Sequence, residues 1–327
     1  MNRRVVIYGA GGIGGGIGAL LAQAGHEVAL IARGAHLEAI RRDGLVVKTP
    51  EWTEAVHLDA CGHPGELELT GDEIFLFTMK SQDTVAALDA LRAVAGSSPP
   101  VVMAQNGVAN EREARRRFGA VYAMLVYMPA QFLEPGTIVL HGTPKRGTLH
   151  AGCYPEGVDA TIEDLCAALG GAGFVSEPTP RAMRLKYGKL LMNLGNAVQA
   201  LVGIDVDVSS LTRELRWEGR QCLDAAGIDF LPPRQLVELC RDGYDLGEVD
   251  GSPRLGGSSW QGAVRGVRST EADHLNGEIV LLGAEHGVPT PFNAAVQRLA
   301  QAAVTEGRPP GATTLADIRR EAEAGTC

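Results

Sequence analysis

Arg3-Arg4-Val5-Val6-Ile7-Tyr8-Gly9-Ala10-Gly11-Gly12-Ile13-Gly14 is the stretch whose reading decides the fold. Val5, Val6 and Ile7 are β-branched and apolar, which favours a buried strand. Gly9, Gly11 and Gly14 then follow in a G-x-G-x-x-G spacing. Ile17-Gly18-Ala19-Leu20-Leu21-Ala22-Gln23-Ala24 is apolar enough for a buried helix, and Gly25 is placed to stop it. A second apolar run, Val28-Ala29-Leu30-Ile31-Ala32, ends at Arg33. A glycine motif between a strand and a helix, with another strand behind it, is the context that makes this pattern a dinucleotide site.

Each residue of the turn has a physical task. Gly9 permits the tight strand-to-helix turn, Gly11 lets a pyrophosphate approach the backbone, and Gly14 lets the helix pack close to the strand. The N–H groups at the helix start, around Gly12 and Ile13, and the helix dipole attract phosphate charge. A NAD site places Asp or Glu at the end of the second strand to hold the ribose hydroxyls. Arg33 stands there instead, and a cation suits a 2′-phosphate, so NADP(H) is the expected cofactor.

A secretory signal is the rival reading of this segment. Residues 5 to 25 hold no Lys, Arg, Asp or Glu, follow Arg3-Arg4 and end near Ala22-Gln23-Ala24. Against it, Gly9, Gly11, Gly12, Gly14, Gly15, Gly16 and Gly18 make a poor helical core for a signal. Cleavage would also remove the first strand of a coherent strand–helix–strand unit.

At 327 residues the chain can hold two domains with large cores. A net charge of −9 without a long basic patch argues against nucleic acid as a partner. Arg112, Arg115, Arg116 and Arg117 alternate with Glu111 and Glu113, which reads as a solvated helix face. Cys61, Cys153, Cys166, Cys222, Cys240 and Cys327 are scattered with no C-x-x-C, and read as reduced thiols in a cytoplasmic protein. Cys61 with His63, and Cys153 with His150, lack two further ligands at finger-like spacing, so no metal is expected. Beyond residue 25 no run is long and apolar enough for a membrane span, so no membrane partner is expected.

Along the chain, Leu45–Thr49 and Ala55–Leu58 read as strands, as do Asp72–Lys80, which stops at the lysine, and Pro100–Gly107, which ends in a polar turn, with helices at Ala35–Arg42 and Gln82–Ala95. The alternation predicts a parallel doubly wound sheet, whose ligands bind beyond the C-terminal strand ends. Gly9, Arg33, Lys80 and Asn106 all fall at such ends. From Val121 to Gly152, including Gly136-Thr137-Ile138-Val139-Leu140-His141, antiparallel strands are expected to extend the sheet. A helix at Ile162–Leu169 and a short strand at Phe174–Ser176 follow. Glu177-Pro178-Thr179-Pro180 reads as a linker. It predicts a dinucleotide-binding α/β domain over residues 1–178 and a helical domain over 179–327.

Ala182 to Val202 reads as one helix, apolar on most sides and therefore buried. Its polar residues Lys186, Lys189, Asn193 and Asn196 follow a 3, 4, 3 spacing, which is one helical face. Buried unpaired polar groups cost about 1–3 kcal/mol each, so this stripe needs a partner network or a wet cleft. A second polar knot runs through Ser258-Ser259 and Thr270-Glu271-Ala272-Asp273, whose Thr270 and Asp273 also fit a helix-capping box.

Together these residues resemble the ketopantoate reductase family, the 2-dehydropantoate 2-reductases, over essentially the whole chain. The resemblance rests on the glycine motif, Arg33, Thr78-Met79-Lys80, Gln105-Asn106-Gly107, Lys189-Leu190-x-x-Asn193, Ser258-Ser259 and Thr270-Glu271-x-Asp273-x-x-Asn276-Gly277. It implies a Rossmann-like domain followed by an all-helical domain, with the active site between them. It also implies NADPH as hydride donor and an anionic, branched 2-oxo acid as acceptor, in pantothenate biosynthesis. By the same resemblance Lys189 is the catalytic lysine, and Glu271 and Ser259 bind the substrate's hydroxyl and carboxylate end. Asn193 hydrogen-bonds the substrate, with Asn196 and Lys186 beside it, and Lys80 and Asn106 position the nicotinamide ribose and the reacting groups. The family commonly carries its second asparagine four residues after the first, followed by Pro-Leu-Thr-Ala. Here Asn196 is three after Asn193, and Ala197-Val198-Gln199-Ala200 stands in that place. That departure leaves open a relative acting on a different small carbonyl or imine. A non-catalytic NADP(H)-binding regulator is the reading from another class. An apolar helical second domain is compatible with a homodimer.

Overall fold

The computed structural model describes residues 3–241, 243–254, 256–266 and 269–325. The chain forms two compact units. The first comprises Met1–Gln105, Asn110–Met183 and Val237–Arg254, and the second Asn106–Ala109, Arg184–Leu236 and Leu255–Cys327.

The first unit is built on a seven-stranded sheet in the order Ala151–Cys153, Val121–Met124, Val101–Met103, Glu73–Phe77, Arg4–Tyr8, Val28–Ile31, Asp59–Cys61. All neighbours run parallel except Ala151–Cys153, which pairs antiparallel with Val121–Met124. Strands covered on both faces must be apolar throughout, and Val5, Val6, Ile7, Ile74, Phe75, Leu76 and Phe77 are all fully buried. Strand order reverses on either side of Arg4–Tyr8. That reversal is where an open α/β sheet leaves a ligand crevice at its C-terminal edge.

A four-stranded sheet lies beside it, in the order Thr53–Val56, Leu45–Lys48, Thr137–Leu140, Ala130–Gln131. Thr137–Leu140 therefore does not extend the main sheet as expected. It pairs parallel with Leu45–Lys48 and buries Ile138 and Leu140 on one face. The glycine-rich helix Gly12–Gln23 explains why. A Cβ on Gly14 would meet Ile7 Cγ2 at 2.8 Å, and one on Gly18 would meet Leu30 Cδ2 at 2.8 Å. A Cβ on Gly16 would meet Met128 Cε at 2.5 Å and Leu140 Cδ2 at 2.9 Å. The glycines strip the helix bare on opposite sides so that both sheets can approach it. Each glycine costs a helix up to about 1 kcal/mol of propensity, and close packing on two faces offsets this.

Residues 237–254 return to the first unit, for reasons local sequence does not carry. Tyr244–Leu246 pairs antiparallel with Gly142–Pro144, and Thr148 Oγ1 donates to the Cys240 carbonyl at 2.7 Å. The second unit is otherwise helical, with Ser209–Ala225, Asn276–His286, Pro291–Glu306 and Leu315–Ala324 its longer members. The single helix expected over Ala182 to Val202 is two, Ala182–Asn193 and Asn196–Val202. Gly195 sits at the break, where a Cβ would come within 2.9 Å of Thr212 Oγ1. The neighbouring Leu194 carbonyl accepts a hydrogen bond from Asn276 Nδ2 at 3.1 Å. Asn196 therefore opens a new helix rather than continuing one stripe with Lys186, Lys189 and Asn193.

Among the described residues no helix is long and apolar enough to cross a membrane, and no group of His, Cys, Asp and Glu could hold a metal ion. Cys61, Cys153, Cys166, Cys222 and Cys240 are free thiols, and Cys327 lies outside the described residues.

Candidate functional site

The nucleotide turn is held by the ends of three neighbouring strands. Gly9 adopts φ +106°, and a Cβ there would lie 2.6 Å from the Met79 nitrogen. Gly9 N and Ala10 N donate to the Ile31 carbonyl at 3.0 and 3.2 Å. Thr78 Oγ1 donates to the Gly9 carbonyl at 2.8 Å. Gly11 is the opposite case, for a Cβ there would have nothing within 4 Å. The open space over Gly11, above an uncapped helix start at Gly12, Ile13 and Gly14, fits the pyrophosphate of a dinucleotide.

Lys80 lies just past the central-sheet strand Glu73–Phe77, after Thr78 and Met79, and precedes the single turn Ser81–Asp83. Gln105 fixes this edge: its Nε2 donates to the Met79 carbonyl at 2.8 Å and to Thr84 Oγ1 at 2.7 Å. Arg33 precedes the helix Gly34–Asp43 and is ion-paired with Asp83 at 3.1 Å.

His36 is a residue of this site that sequence reasoning missed. Its Nδ1 accepts from Gly136 N at 2.9 Å, so Nε2 carries the proton and donates to the Ala10 carbonyl at 2.7 Å. The ring is buried and lies 4.5 Å from that of Phe132. It therefore fixes the peptide at the centre of the glycine turn. A histidine early in a short helix gives no local sign of this. His36→Ala leaves the buried Gly136 N–H without its acceptor and frees the Ala10 peptide. NADPH affinity is expected to fall about tenfold, corresponding to roughly 1.4 kcal/mol, as read by a fluorescence titration.

The second unit gathers the other candidates from four segments. Lys186, Lys189 and Asn193 share one face of Ala182–Asn193. Lys186 is 3% exposed and Asn193 6%, while Lys189 is half-buried. Gly188 seats this helix, since a Cβ there would fall 2.2 Å from the Leu231 carbonyl oxygen. Asn193 Nδ2 is buried with no hydrogen-bond partner among the described residues. An orphan buried donor costs about 1–3 kcal/mol and is relieved by an acceptor on a ligand or water.

The glycine turn before Ser259 approaches the break in the helix. A Cβ on Gly257 would lie 3.5 Å from Asn196 Oδ1 and 3.4 Å from Gln199 Oε1. Glu271 is 6% exposed and precedes the short turn Ala272–His274. A Cβ on Gly107 would be 3.1 Å from the His274 carbonyl oxygen, so the turn that carries Asn106 lies against this segment. The capping box expected from Thr270 and Asp273 does not form. Thr270 Oγ1 accepts from Ala272 N at 3.1 Å, while Asp273 Oδ1 accepts from Gln297 Nε2 at 2.9 Å.

A buried network runs beneath these segments. Glu218, 2% exposed, accepts from Phe292 N at 2.8 Å, Asn293 N at 2.9 Å and Asn293 Nδ2 at 2.7 Å. Asn293 Oδ1 accepts from Asn276 Nδ2 at 2.9 Å, and the same amide reaches the Leu194 carbonyl. Burial pushes the Glu218 carboxyl up, and the N–H groups of Asn293 and Phe292 partly counter this. The network ties the start of Asn276–His286, just after Glu271, to the helix break between Asn193 and Asn196.

The comparisons with known proteins agree over most of the chain. Residues 5–156 match the family model described as ketopantoate reductase PanE/ApbA, and 181–304 match its C-terminal counterpart. A 2-dehydropantoate 2-reductase of Pyrococcus horikoshii is 28% identical over 312 residues, covering 91% of this chain and 97% of that protein. The crystal structure of a PanE/ApbA family ketopantoate reductase from Ralstonia eutropha JMP134 superposes with a TM-score of 0.76 at 28% identity, covering 93% and 99% of the two chains. A D-mandelate dehydrogenase, solved with NADH and anilino(oxo)acetate, has a TM-score of 0.80 at 19% identity, covers 93% and 99%, and shares the fold. A Rossmann-like sheet wound around the Gly9–Gly14 turn, a helical second unit and both family models together place this chain in the ketopantoate reductase family.

Proposed function

We propose that this protein reduces ketopantoate, a branched 2-oxo acid, to the 2-hydroxy acid pantoate with NADPH. The observation that carries this reading is the buried Nδ2 of Asn193, without a hydrogen-bond partner among the described residues and one helical turn from the half-buried Lys189. It is a donor in want of an oxygen, beside a cation, in a family of 2-oxo acid reductases.

NADPH, when bound over the Gly9–Gly14 turn, supplies the hydride. Lys189 Nζ donates a hydrogen bond to the ketone oxygen, stabilises the negative charge that develops there, and passes a proton to it. Asn193 Nδ2 donates a second hydrogen bond to the substrate. Lys186 adds positive charge for an anionic acid, and Asn196 lines the substrate side. Ser259 donates to the substrate carboxylate, and the Glu271 carboxylate accepts from its hydroxyl. Lys80 and Asn106 orient the nicotinamide ribose and the reacting groups.

The test is NADPH oxidation, followed by loss of nicotinamide absorbance, with ketopantoate beside pyruvate and other branched 2-oxo acids. Ketopantoate is expected to give the highest kcat/KM of the set. NADPH binding without turnover of ketopantoate would refute the assignment.

A further inference from the structure

We propose that Asp83 sets how strongly this enzyme prefers NADPH over NADH, by competing with the cofactor's 2′-phosphate for Arg33. The inference rests on the reading of Arg33 as the 2′-phosphate partner and adds to it a residue that limits it.

Arg33 Nη2 lies 3.1 Å from Asp83 Oδ2. The two residues lie beyond the C-terminal ends of the strands that flank Arg4–Tyr8: Arg33 follows Val28–Ile31 after Ala32, and Asp83 closes the turn Ser81–Asp83 that comes after Glu73–Phe77. The ion pair therefore reaches across the end of the central strand, on the rim that carries the glycine turn. Burial raises the Tyr8 phenol and the Arg33 cation partly offsets this, as expected for a guanidinium close to that strand end. Both partners face water, with side-chain exposures of 74% for Arg33 and 41% for Asp83.

A cation already neutralised by a carboxylate is a weaker anion site than a lone one. A 2′-phosphate arriving at Arg33 must share the guanidinium with Asp83 and stand close to a like charge. The guanidinium has five N–H donors, so sharing is feasible and the competition is graded rather than absolute. NADH carries no 2′-phosphate and does not meet this repulsion. Exposed ion pairs contribute up to about 1 kcal/mol, which corresponds to about a fivefold change in affinity.

The test measures dissociation constants of NADPH and NADH by fluorescence titration for the native protein, Asp83→Asn, Arg33→Met and the double variant. Asp83→Asn is expected to raise the NADPH-to-NADH affinity ratio about three- to fivefold. The gain should shrink at high salt, because the charges are exposed, and vanish in the Arg33→Met background. An unchanged or lower ratio in Asp83→Asn, with Arg33→Met still losing NADPH selectively, would overturn the inference while leaving the role of Arg33 standing. Equal losses of both cofactors in Arg33→Met would overturn the role of Arg33 and the inference together.

Discussion

Lys189→Ala is expected to lower turnover about 10²–10⁴-fold, the range typical of a lost general acid, while NADPH binding stays within about twofold of native. The two halves of this expectation come from different units of the chain. The nucleotide turn belongs to the first unit and Lys189 to the second, so removing the lysine leaves the contacts of Gly9, Thr78, His36 and Gln105 in place. The alanine should also be well tolerated by the fold. Ala182–Asn193 is pressed onto the Leu231 backbone through Gly188, and Lys189 itself is only half-buried. A fall in kcat with near-native cofactor affinity and melting temperature therefore reports on the amine. Unchanged turnover would remove Lys189 from the chemistry and direct attention to Lys186, one turn earlier on the same face.

Gly14→Ala is the second large effect, and it acts on stability and cofactor binding together. The added Cβ would stand 2.2 Å from Thr78 Oγ1 and 2.5 Å from the Gly9 carbonyl oxygen. Thr78 cannot simply rotate away at no cost, because its hydroxyl donates to that same Gly9 carbonyl. The helix start must therefore move off the strand, or the turn must open. Overpacking of this kind costs about 1–3 kcal/mol, and here the displaced atoms are those that would cradle the pyrophosphate. We expect a lower melting temperature and an NADPH affinity reduced more than tenfold, read by thermal unfolding with and without cofactor. Gly11→Ala gives the contrast. Its Cβ would meet nothing within 4 Å, so stability should hold while cofactor affinity falls.

Both variants turn on features that were legible in the sequence. Gly9, Gly11 and Gly14 stood out because only glycine meets three different demands at that spacing, and the structure gives a separate physical reason for each. The continuous apolar runs at Val5–Ile7 and Ile74–Phe77 announced strands covered on both faces, and the parallel sheet has that form. The alternation of strands and helices, and the helical second half, were equally plain.

Other features depend on partners that no local pattern names. Thr137–Leu140 looked like an extension of the main sheet, because a strand's period tells which residues share a face and not which strand lies alongside. Its partner is Leu45–Lys48, chosen because the bare glycines of Gly12–Gln23 admit a second sheet. The break at Gly195 was hidden in an apolar, helix-compatible run. It is set by the approach of Thr212 and by the Asn276 amide on the Leu194 carbonyl.

The sequence by itself determined the Rossmann-like fold class and the nucleotide turn, since these follow from propensity, periodicity and the steric uniqueness of glycine. Only the tertiary structure decided that His36 clamps the Ala10 peptide, that Asp83 meets Arg33, and that Glu218, Asn293 and Asn276 steady the helix break. Those are through-space contacts between segments far apart in the chain. Their energies exist only once the backbone has brought the partners within hydrogen-bonding distance.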